Sequence, residues 1–384
     1  MEKSRKPKIR FRGYTDDWEQ RKLNEFTKYS SSSLTVKDID ETASYDLYDA
    51  NEEIGKTDKS PLFDDYISII KDGAGVGRVR KLPKNTSILG TMGAIIPQNS
   101  DYNFLFSILE KTDFTKLTSG GTIPHIYYNQ YGEKVYSIPT LEEQQKIGQY
   151  FRNLDNLITL HQRKLDKLIN VKKSMLEKMF PKQGSTVPEI RFTGFTNDWE
   201  QRELSNVLER RIEQRQQSEE YPRLAFASGQ GVIPLSERKT NNREQLTKDE
   251  YTKKYLVTEL NDIVYNPANV KYGAIDRNKC GRGLISPIYV TFTTNEISGF
   301  IERIVTSHDF QQRALRFEEG TVTKRQSVNP ENLVTLDILV APKREEQQKI
   351  ATYFDNIDHL ITLHQCELEK LQNIKKSMLE KMFV

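Results

Sequence analysis

The sequence of 384 residues has few of the side chains from which redox and metal centres are built. It contains two cysteines, Cys280 and Cys366, and five histidines. Two cysteines this far apart indicate neither a disulfide framework nor a cysteine metal site. None of the histidines is spaced from Cys, Asp or Glu as metal ligands are. The sequence therefore predicts no metal site.

Long hydrophobic runs are also missing. No apolar stretch approaches the roughly 20 residues that a bilayer-spanning helix needs. The charged opening MEKSRKPKIRFRG lacks the apolar region of a signal peptide. Hydrophobic residues make up 36% of the chain and charged residues 29%, which still allows two cores of ordinary domain size. We expect a cytoplasmic protein with no membrane partner.

A strong net charge is the third absence. The 57 basic and 54 acidic residues leave a net charge of +3, which does not by itself predict nucleic-acid binding. The local distribution of charge is more informative. Two basic clusters contain Arg78, Arg80 and Lys81 in the first half, and Lys271, Arg277 and Lys279 in the second half. Each cluster is either a candidate DNA contact or a solvated loop.

What the sequence does contain is an internal repeat. The nonapeptide KKSMLEKMF occurs twice, 203 positions apart, within two segments of 40 residues, 141–180 and 344–383, that differ at 11 positions. Upstream, residues 7–23 match residues 188–204 around a shared DWEQR. The chain is thus two copies of one plan, each with a short opening, a variable body and a shared tail. In one interpretation, the shared parts bind a common partner and the bodies bind different targets. In the other, the bodies have diverged after an old duplication.

The two tails have the heptad pattern of a coiled coil, with apolar residues at alternating steps of four and three. This seam contains Phe151, Leu154, Ile158, His161 and Leu165 in the first tail, and Phe354, Ile357, Ile361, His364 and Leu368 in the second. A helix of about 40 residues would be about 60 Å long. The two histidines are interpreted as polar residues that fix the register, with a metal or proton-transfer role as the alternative.

The spacing of these parts predicts an architecture. Only the linker PKQGSTV separates the first tail from the second opening, and a linker this short favours an antiparallel helix pair. We predict a mixed α/β (α+β) fold, in which two globular bodies are separated by a long antiparallel two-helix coiled coil with a pseudo-twofold internal repeat. The predicted boundaries are 1–139 for the first body, 140–180 for the first helix, 181–342 for the linker and second body, and 343–384 for the second helix.

Local patterns within the bodies indicate both strands and helices. Runs rich in β-branched and aromatic residues at 65–70 and 287–292 predict strands, and residues 103–111 and 299–308 predict helices.

A glycine- and threonine-containing loop comes late in each body. The first is SGGTIPH, residues 119–125, followed by two tyrosines, and the second is GTVTKR, residues 320–325. Hydroxyl, imidazole, amine and guanidinium groups can reach phosphates and base edges. The candidate contact residues are Thr122, His125, Thr323, Lys324 and Arg325. A surface turn without function is the alternative for either loop alone.

Motifs for catalysis are missing from the sequence. The glycine-rich segment DGAGVG at 72–77 lacks both the full dinucleotide-binding spacing and the GK[ST] of a phosphate loop, so a tight turn is favoured. The segment NPAN at 266–269 matches only half of the loop that holds a flipped base in amino-methyltransferases. No catalytic residue is assigned, and the chain is interpreted as a binding protein.

Together, the paired variable bodies, the EEQQKI..YF.N.D.LI start of each tail and the DWEQR segments resemble the specificity subunit of a type I restriction-modification system. The resemblance covers essentially the whole chain. It implies that each body is a target recognition domain for one half of a bipartite double-stranded DNA site, and that the helices space the two domains. By position it carries a DNA-contact role to the two late loops and, beyond them, to the basic clusters.

The resemblance also implies partners. Two modification (methyltransferase) subunits would dock on the shared helices, and restriction (endonuclease/translocase) subunits would join them in the cytoplasm of a bacterium. Adenine methylation with S-adenosylmethionine, and cleavage that depends on ATP and magnesium, would belong to those subunits. This chain itself would then need no cofactor.

Two other classes of protein remain as alternatives. One is a non-catalytic coiled-coil scaffold that joins two protein-binding domains, and the other is a stand-alone nuclease or methyltransferase with cryptic motifs. Salt-dependent binding to duplex DNA distinguishes the first from a DNA reader, and turnover without partners would reveal the second.

Overall fold

The fold of the chain mixes α-helices and β-strands, so the predicted mixed α/β class is confirmed. The computed structural model describes residues 6–120, 123–227, 229–238, 253–319 and 327–384. The predicted strand at 65–70 is observed at Tyr66–Ile70, and the predicted helix at 103–111 is observed at Tyr102–Lys111.

The chain divides into two compact units. Unit 1 combines Met1–Lys164 with His364–Val384, and unit 2 is Leu165–Leu363. Each unit therefore contains one globular body together with part of each tail. The boundaries predicted between bodies and helices stay a prediction.

Unit 1 is built mainly from short antiparallel strands. Its strands are β1 (Glu19–Lys22), β2 (Thr27–Ser31), β3 (Tyr45–Tyr48), β4 (Glu53–Thr57), β5 (Tyr66–Ile70), β6 (Val79–Leu82), β7 (Thr86–Ile88), β8 (Met92–Pro97) and β9 (Val135–Ile138). Its helices are α1 (Leu23–Phe26), α2 (Tyr102–Lys111), α3 (Tyr128–Tyr131) and the start of the long α4 (Leu141–Lys178).

The central sheet of unit 1 has the strand order β2-β8-β5-β6. All five residues of β5 are buried, which explains why four of the five are apolar or aromatic. Ile67 on β5 pairs with Ile95 on one side and with Lys81 on the other. Helix α2 begins after Asp101, whose Oδ1 accepts a hydrogen bond from the backbone amide of Phe104 at 2.8 Å.

Unit 2 repeats this construction with more strands. Its strands are β10 (Glu200–Glu203), β11 (Leu208–Arg211), β12 (Gln214–Arg215), β13 (Leu224–Ala227), β14 (Gly231–Pro234), β15 (Tyr255–Thr258), β16 (Ile263–Tyr265), β17 (Ile275–Arg277), β18 (Gly283–Ile285), β19 (Val290–Thr294), β20 (Glu318–Glu319), β21 (Ser327–Val328) and β22 (Asp337–Val340). Its helices are α5 (Ser298–Val305), α6 (His308–Ala314), α7 (Pro330–Leu333) and most of the long α8 (Arg344–Lys381).

The central sheet of unit 2 has the order β11-β19-β16-β17, which is the same arrangement as in unit 1. Ile263 on β16 pairs with Phe292 on one side and with Arg277 on the other. Arg277 therefore occupies the position in this sheet that Lys81 occupies in the sheet of unit 1.

The long helices pair in antiparallel fashion within each unit. In unit 1, Asp155 of α4 forms an ion pair with Lys375 of α8 at 2.8 Å, and His161 further along α4 meets His364 earlier on α8, with 3.1 Å between their Nδ1 atoms. In unit 2, Lys172 of α4 forms an ion pair with Asp358 of α8 at 2.5 Å. The antiparallel pairing predicted from the short linker is thus observed.

The seam positions of both helices are buried or partly buried. Phe151, Leu154, Leu165, Phe354, Ile357 and Leu368 are buried, and Ile158, His161, Ile361 and His364 are partly buried. A hydrogen bond between the two histidine rings needs one nitrogen as donor and the other as acceptor, which is the contact expected of a register-fixing polar pair.

An aromatic cluster closes the core of each unit, and it includes the last aromatic residue of a KKSMLEKMF nonapeptide. In unit 1 the ring of Phe383 lies 6.3 Å from Trp18, 5.5 Å from Phe104 and 5.7 Å from Phe151. These contacts fix the end of α8 to the body that contains Trp18.

Unit 2 has the matching cluster around the first copy of the nonapeptide. The ring of Phe180 lies 5.6 Å from Trp199, 5.7 Å from Phe300 and 6.2 Å from Phe354. The repeated nonapeptide therefore ends in an aromatic residue that fills equivalent sites in two different cores.

Candidate nucleic-acid interface

The two late loops that the sequence singled out are only partly described. Thr122, Thr323, Lys324 and Arg325 lie outside the described residues. His125 of the first loop is described, and it belongs to a well-defined group of contacts in unit 1.

His125 joins the late loop of unit 1 to the glycine-rich turn after β5. Its Nδ1 lies 2.6 Å from Oδ1 of Asp72, and its backbone exchanges two hydrogen bonds with Ser119 at 2.8 and 2.9 Å. The backbone of the turn also takes part, because the amide of Gly73 donates to the carbonyl of Pro124 at 3.1 Å. These contacts tie Ser119, Pro124 and His125 to one another and to the turn.

The glycine-rich turn at 72–77 is a structural turn, as the sequence predicted. Gly73 and Gly77 have φ values of +92° and +84°, which favour glycine. A Cβ on Gly77 would lie 2.6 Å from the Cβ of Phe114. A side chain at position 77 would therefore require the turn or Phe114 to shift.

Aromatic side chains surround the late loop of unit 1. Tyr127 is 53% exposed, and its ring stacks loosely on His125 at 6.5 Å. Behind it, Tyr29 and Tyr128 stack at 4.3 Å and Tyr131 is fully buried. Burial raises the pKa of both Tyr29 and Tyr131. The exposed ring of Tyr127 is thus supported by buried and partly buried aromatic side chains, and it is a suitable stacking surface for a nucleic-acid base.

Tyr29 was missed by the sequence analysis. It lies on β2, about a hundred residues before the loop in the sequence, and no local pattern connects the two. One signal for its position is Gly93 on β8, where a Cβ would lie 2.4 Å from the hydroxyl of Tyr29. That glycine leaves space for the tyrosine ring.

Arg78 and Arg80 of the first basic cluster stabilise a neighbouring turn. The guanidinium of Arg78 donates to Oδ1 of Asn51 at 2.8 Å, and that of Arg80 donates to the carbonyl of Asn51 at 2.7 Å and lies over the ring of Tyr48. Each guanidinium has five N–H donors, so both retain donors for a further contact. Their DNA-contact role stays a prediction.

Lys81 points in a different direction, toward the long helices. Its Nζ donates to Oδ1 of Asn103 at 2.9 Å, lies 4.5 Å from the ring centre of Phe106, and is 3.9 Å from Asp155 of α4. Burial lowers the pKa of this amine. The geometry favours a structural role for Lys81 over contact with DNA.

The basic cluster of unit 2 is largely neutralised by acids of the same unit. Arg277 donates to Glu302 at 2.7 Å and to Asp355 at 2.8 and 2.9 Å, and its side chain is 12% exposed. Lys279 also donates to Glu302, at 2.5 Å. The arrangement favours internal ion pairing for Arg277 and Lys279, and their DNA-contact role stays a prediction.

Lys271 is the third member of this cluster. Its Nζ lies 3.7 Å from Glu318, and it stands over the ring of Tyr272, which is 65% exposed. The pair forms a cationic and aromatic surface after the NPAN segment, and the role of Lys271 in DNA contact stays a prediction.

A buried carboxyl group lies next to the neutralised cluster of unit 2. The pKa of Asp276 is raised to about 6, mainly by burial; Lys279 opposes this shift and the nearby carboxylate of Glu302 adds to it. Packing around Asp276 is close, because a Cβ on Gly231 would lie 2.3 Å from its Oδ2.

Exposed leucines recur at the same place in the two long helices. Leu157 and Leu160 of α4 are 43% and 46% exposed, and their repeats Leu360 and Leu363 of α8 are 41% and 47% exposed. Both pairs belong to the repeated LITLHQ sequence. The chain thus presents one apolar helical surface twice.

Among the residues that the structure describes, there is no cluster of three or more His, Cys, Asp or Glu side chains suited to a metal ion. No helix in the described ranges is both long and apolar enough to cross a membrane.

Comparison with known proteins gives consistent results. Residues 15–170 match the family described as type I restriction modification DNA specificity domain. Over 408 aligned residues the chain is 24% identical to the type I restriction enzyme MjaVIII specificity subunit of Methanocaldococcus jannaschii, covering 95% of this chain and 91% of that relative.

A solved structure shares the fold. The crystal structure of the type I restriction-modification system S subunit from M. genitalium aligns with a TM-score of 0.65 at 16% identity, covering 99% of each chain. The resemblance stated from the sequence is confirmed: residues 15–170 match the type I restriction modification DNA specificity domain family, and the chain as a whole is similar to a type I restriction enzyme specificity subunit.

Proposed function

We propose that this chain is the non-catalytic DNA-recognition subunit of a type I restriction-modification complex, and that each unit reads one half of a bipartite DNA sequence. The observation that carries the proposal is the duplicated plan. The two units have the same central sheet order and the same aromatic cluster, whereas their loops differ. A frame repeated with different loops suits a reader of two unlike half-sites held at a fixed spacing.

The late loop of unit 1 supports DNA as the target. Asp72 holds the ring of His125, Tyr127 offers an exposed ring, and Arg78 follows the glycine-rich turn directly. Stacking on aromatic rings and guanidinium contacts to phosphates or guanine are common modes of protein–nucleic acid recognition. In unit 2, Lys271 and Tyr272 offer the corresponding combination of charge and ring.

The repeated leucine pairs support docking of two copies of one partner. Leu157 with Leu160, and Leu360 with Leu363, are exposed apolar positions on otherwise polar helix faces. We assign each pair to one modification subunit, and restriction subunits would join this assembly. S-adenosylmethionine, ATP and magnesium would be bound by those subunits, so this chain contributes recognition and spacing.

The proposal is tested by methylation. The chain is expressed with its modification subunits in a host without other adenine methylation, and the genome is sequenced with detection of modified bases. We expect methylated adenines in a two-part sequence with a fixed nonspecific gap, only when this chain is present. Methylation that is independent of the chain, or that is carried out by the purified chain alone, would overturn the proposal.

Binding experiments separate the DNA reader from a protein scaffold. The assembled complex should bind duplex DNA with an affinity that falls steeply with salt, and a duplex with the two-part sequence should retain binding where a scrambled duplex does not. The combined change Leu157→Asp and Leu160→Asp should lower the number of bound modification subunits from two to one. The single change Thr159→Asp serves as the control, because Thr159 is an exposed neighbour of both leucines.

A further inference from the structure

A network of charged side chains connects the central sheet of unit 2 to the long helices. Its members are Lys172, Arg277, Glu302, Arg303, Asp355 and Asp358, all of which belong to unit 2. None of these side chains lies in the late loop or on the NPAN segment. The network therefore has no place in the reading surface proposed above.

The network runs without a break from the sheet to both helices. Arg277 of β17 binds Glu302 of α5 at 2.7 Å and Asp355 of α8 at 2.8 Å. Arg303 of α5 binds Asp355 at 2.8 Å and Asp358 of α8 at 2.8 Å. Asp358 in turn binds Lys172 of α4 at 2.5 Å. Two arginines of the body thus hold two aspartates of one helix.

These groups are largely withdrawn from solvent. The side chains of Glu302 and Arg303 are 3% and 4% exposed, and that of Arg277 is 12% exposed. Buried ion pairs contribute little net stability compared with well-packed apolar side chains, but their geometry is directional. An apolar contact tolerates a small rotation of the body on the helix, whereas an arginine that bridges two carboxylates with different nitrogens does not.

Unit 1 has a counterpart made from other residues. Lys375 binds Asp155 at 2.8 Å and Glu110 of α2 at 2.7 Å, and Lys81 lies 3.9 Å from the same Asp155. The helix partners correspond between the units, since Asp155 and Lys375 are the repeats of Asp358 and Lys172. Lys81 and Arg277 occupy the same sheet position.

We infer that Arg277 and Arg303 in unit 2, and Lys81 in unit 1, are positioning residues that fix the angle of each recognition body on the helices, and thereby the gap length accepted between the two half-sites. The inference rests on the proposed function. It gives Arg277 and Lys81 a role in spacing and none in base recognition.

The test weakens the network on the helix side, away from the DNA-reading loops. Asp355→Ala removes the carboxylate that both arginines share, while Glu302 still neutralises Arg277 and Asp358 still neutralises Arg303. Each arginine therefore keeps one carboxylate partner when Asp355 is removed. The matched control is Arg152→Ala, since Arg152 is exposed and stands at the repeat position of Asp355.

The measurement uses the complex with its modification subunits. A pool of duplexes carries the two half-sites with gaps of every length near the natural one, together with single-base changes in each half-site, and methylated molecules are counted by sequencing. Asp355→Ala should raise methylation at gaps one base pair longer or shorter than the natural one by about tenfold, measured relative to methylation at the natural gap. A factor of about ten is expected for one lost charged hydrogen bond. Base preference in both half-sites should be unchanged.

Other outcomes are equally informative. An unchanged gap preference would overturn the inference, and a relaxed base preference in one half-site would show a DNA-reading role instead. Asp355→Glu should restore the natural gap preference. If Asp355→Ala fails to assemble, Lys81→Met gives the same test in unit 1, because it removes the charge and keeps the packing on Phe106. A wild-type complex without any two-part site would overturn the proposed function itself.

Discussion

Units 1 and 2 agree where the body meets the helices. In unit 1, Arg10 donates to Glu143 at 2.7 and 2.8 Å, and in unit 2, Arg191 donates to Glu346 at 2.6 and 2.8 Å. Phe383 and Phe180 fill equivalent aromatic clusters. Residues that are identical in the two copies of the sequence thus make the same contacts in both units.

The units differ in the turns and in the basic residues of their bodies. The turn after β5 in unit 1 contains Asp72, which contacts His125, whereas the corresponding turn after β16 in unit 2 contains the NPAN segment, residues 266–269. On the body side of the charged networks, unit 1 has Lys81 and unit 2 has Arg277 and Arg303, while the helix residues repeat. The comparison indicates that the helices and the aromatic clusters are under one common constraint, and that the turns and the body side of the networks are under separate ones.

The largest expected effect comes from removing one aromatic residue from one of the two cores, which should make the two units differ in stability. Phe383→Ala should lower the free energy of unfolding of unit 1 by about 3–5 kcal/mol, the usual cost of deleting a buried phenylalanine ring. Phe180→Ala should destabilise unit 2 in the same way but by less, because Phe180 is only partly buried. Hydrogen exchange followed by mass spectrometry would measure the effect in each unit. Val384→Ala is the control, since Val384 is 46% exposed.

Equal loss of protection in both units from either single change would contradict this prediction. It would mean that the two aromatic clusters unfold together, and that the division into two compact units does not describe their stability.

The second change tests the shared ion pair. Arg10→Met leaves the carboxylate of Glu143, which is fully buried, without its bidentate partner. We expect unit 1 to lose about 2–3 kcal/mol, less than for a fully enclosed pair because Arg10 is partly exposed. Arg191→Met should have the same effect on unit 2, because Glu346 is equally buried.

Denaturant titration with the double change Arg10→Met and Glu143→Met separates charge from packing. The double variant should recover most of the loss, since it removes both charges together. A double variant as unstable as the single one would show that the arginine acts through packing alone.

The third change sharpens the contrast between the loops. Asp72→Ala removes the carboxylate that holds His125, and it should weaken recognition of a single half-site by about 1–3 kcal/mol. Methylation of duplexes with base changes in either half-site measures this effect. The predicted loop residues of unit 2, Lys324 and Arg325, should affect the other half-site when they are replaced by alanine. Loss at the same half-site from both sets of changes would contradict the assignment.

The smallest expected effect concerns Asp276. Its pKa is raised to about 6 in the folded unit, so the folded state binds this proton more tightly than the unfolded chain does. The stability of unit 2 should therefore fall as the pH rises from about 4 to about 6, and stay lower above that range. Asp276→Asn should remove this loss and raise the stability by about 1 kcal/mol at about pH 8.

Asn keeps the acceptor for the backbone amide of Arg277, which now donates to Asp276 at 2.7 Å. Thermal unfolding at acid and alkaline pH provides the measurement. If Asp276→Asn raised the stability of unit 2 as much at acid pH as at alkaline pH, the increase would not come from removal of the charge.

Much of the architecture could be predicted from the sequence because it depends on local and repeated patterns. The heptad seams predicted the long helices, which are observed at Leu141–Lys178 and Arg344–Lys381. The short linker predicted their antiparallel pairing. The predicted helix at 299–308 is observed as two, Ser298–Val305 and one starting at His308, because Ser307 caps the second helix by accepting a hydrogen bond from the amide of Phe310.

Contacts between distant residues could not be read in the same way. Arg277 and Lys279 form a basic cluster in the sequence, but Glu302 and Asp355 come 25 and 78 residues after Arg277. Charge counts over a short segment cannot detect such partners. Tyr29 was missed for the same reason, because it stacks on Tyr128 of α3, an element far from β2 in the sequence.

The placement of Phe383 and Phe180 affects the order in which the units can fold during translation. Phe180 and Trp199 lie 19 residues apart in the sequence, and Phe354, the last ring of that cluster, is made before the second tail is complete. Trp18 of unit 1 can contact Phe383 only after a further 365 residues have been synthesised. Contacts this distant are slow to form, and synthesis adds a further delay. The body of unit 1 is therefore synthesised first but completes its core last, after all the residues of the aromatic cluster of unit 2 have been made.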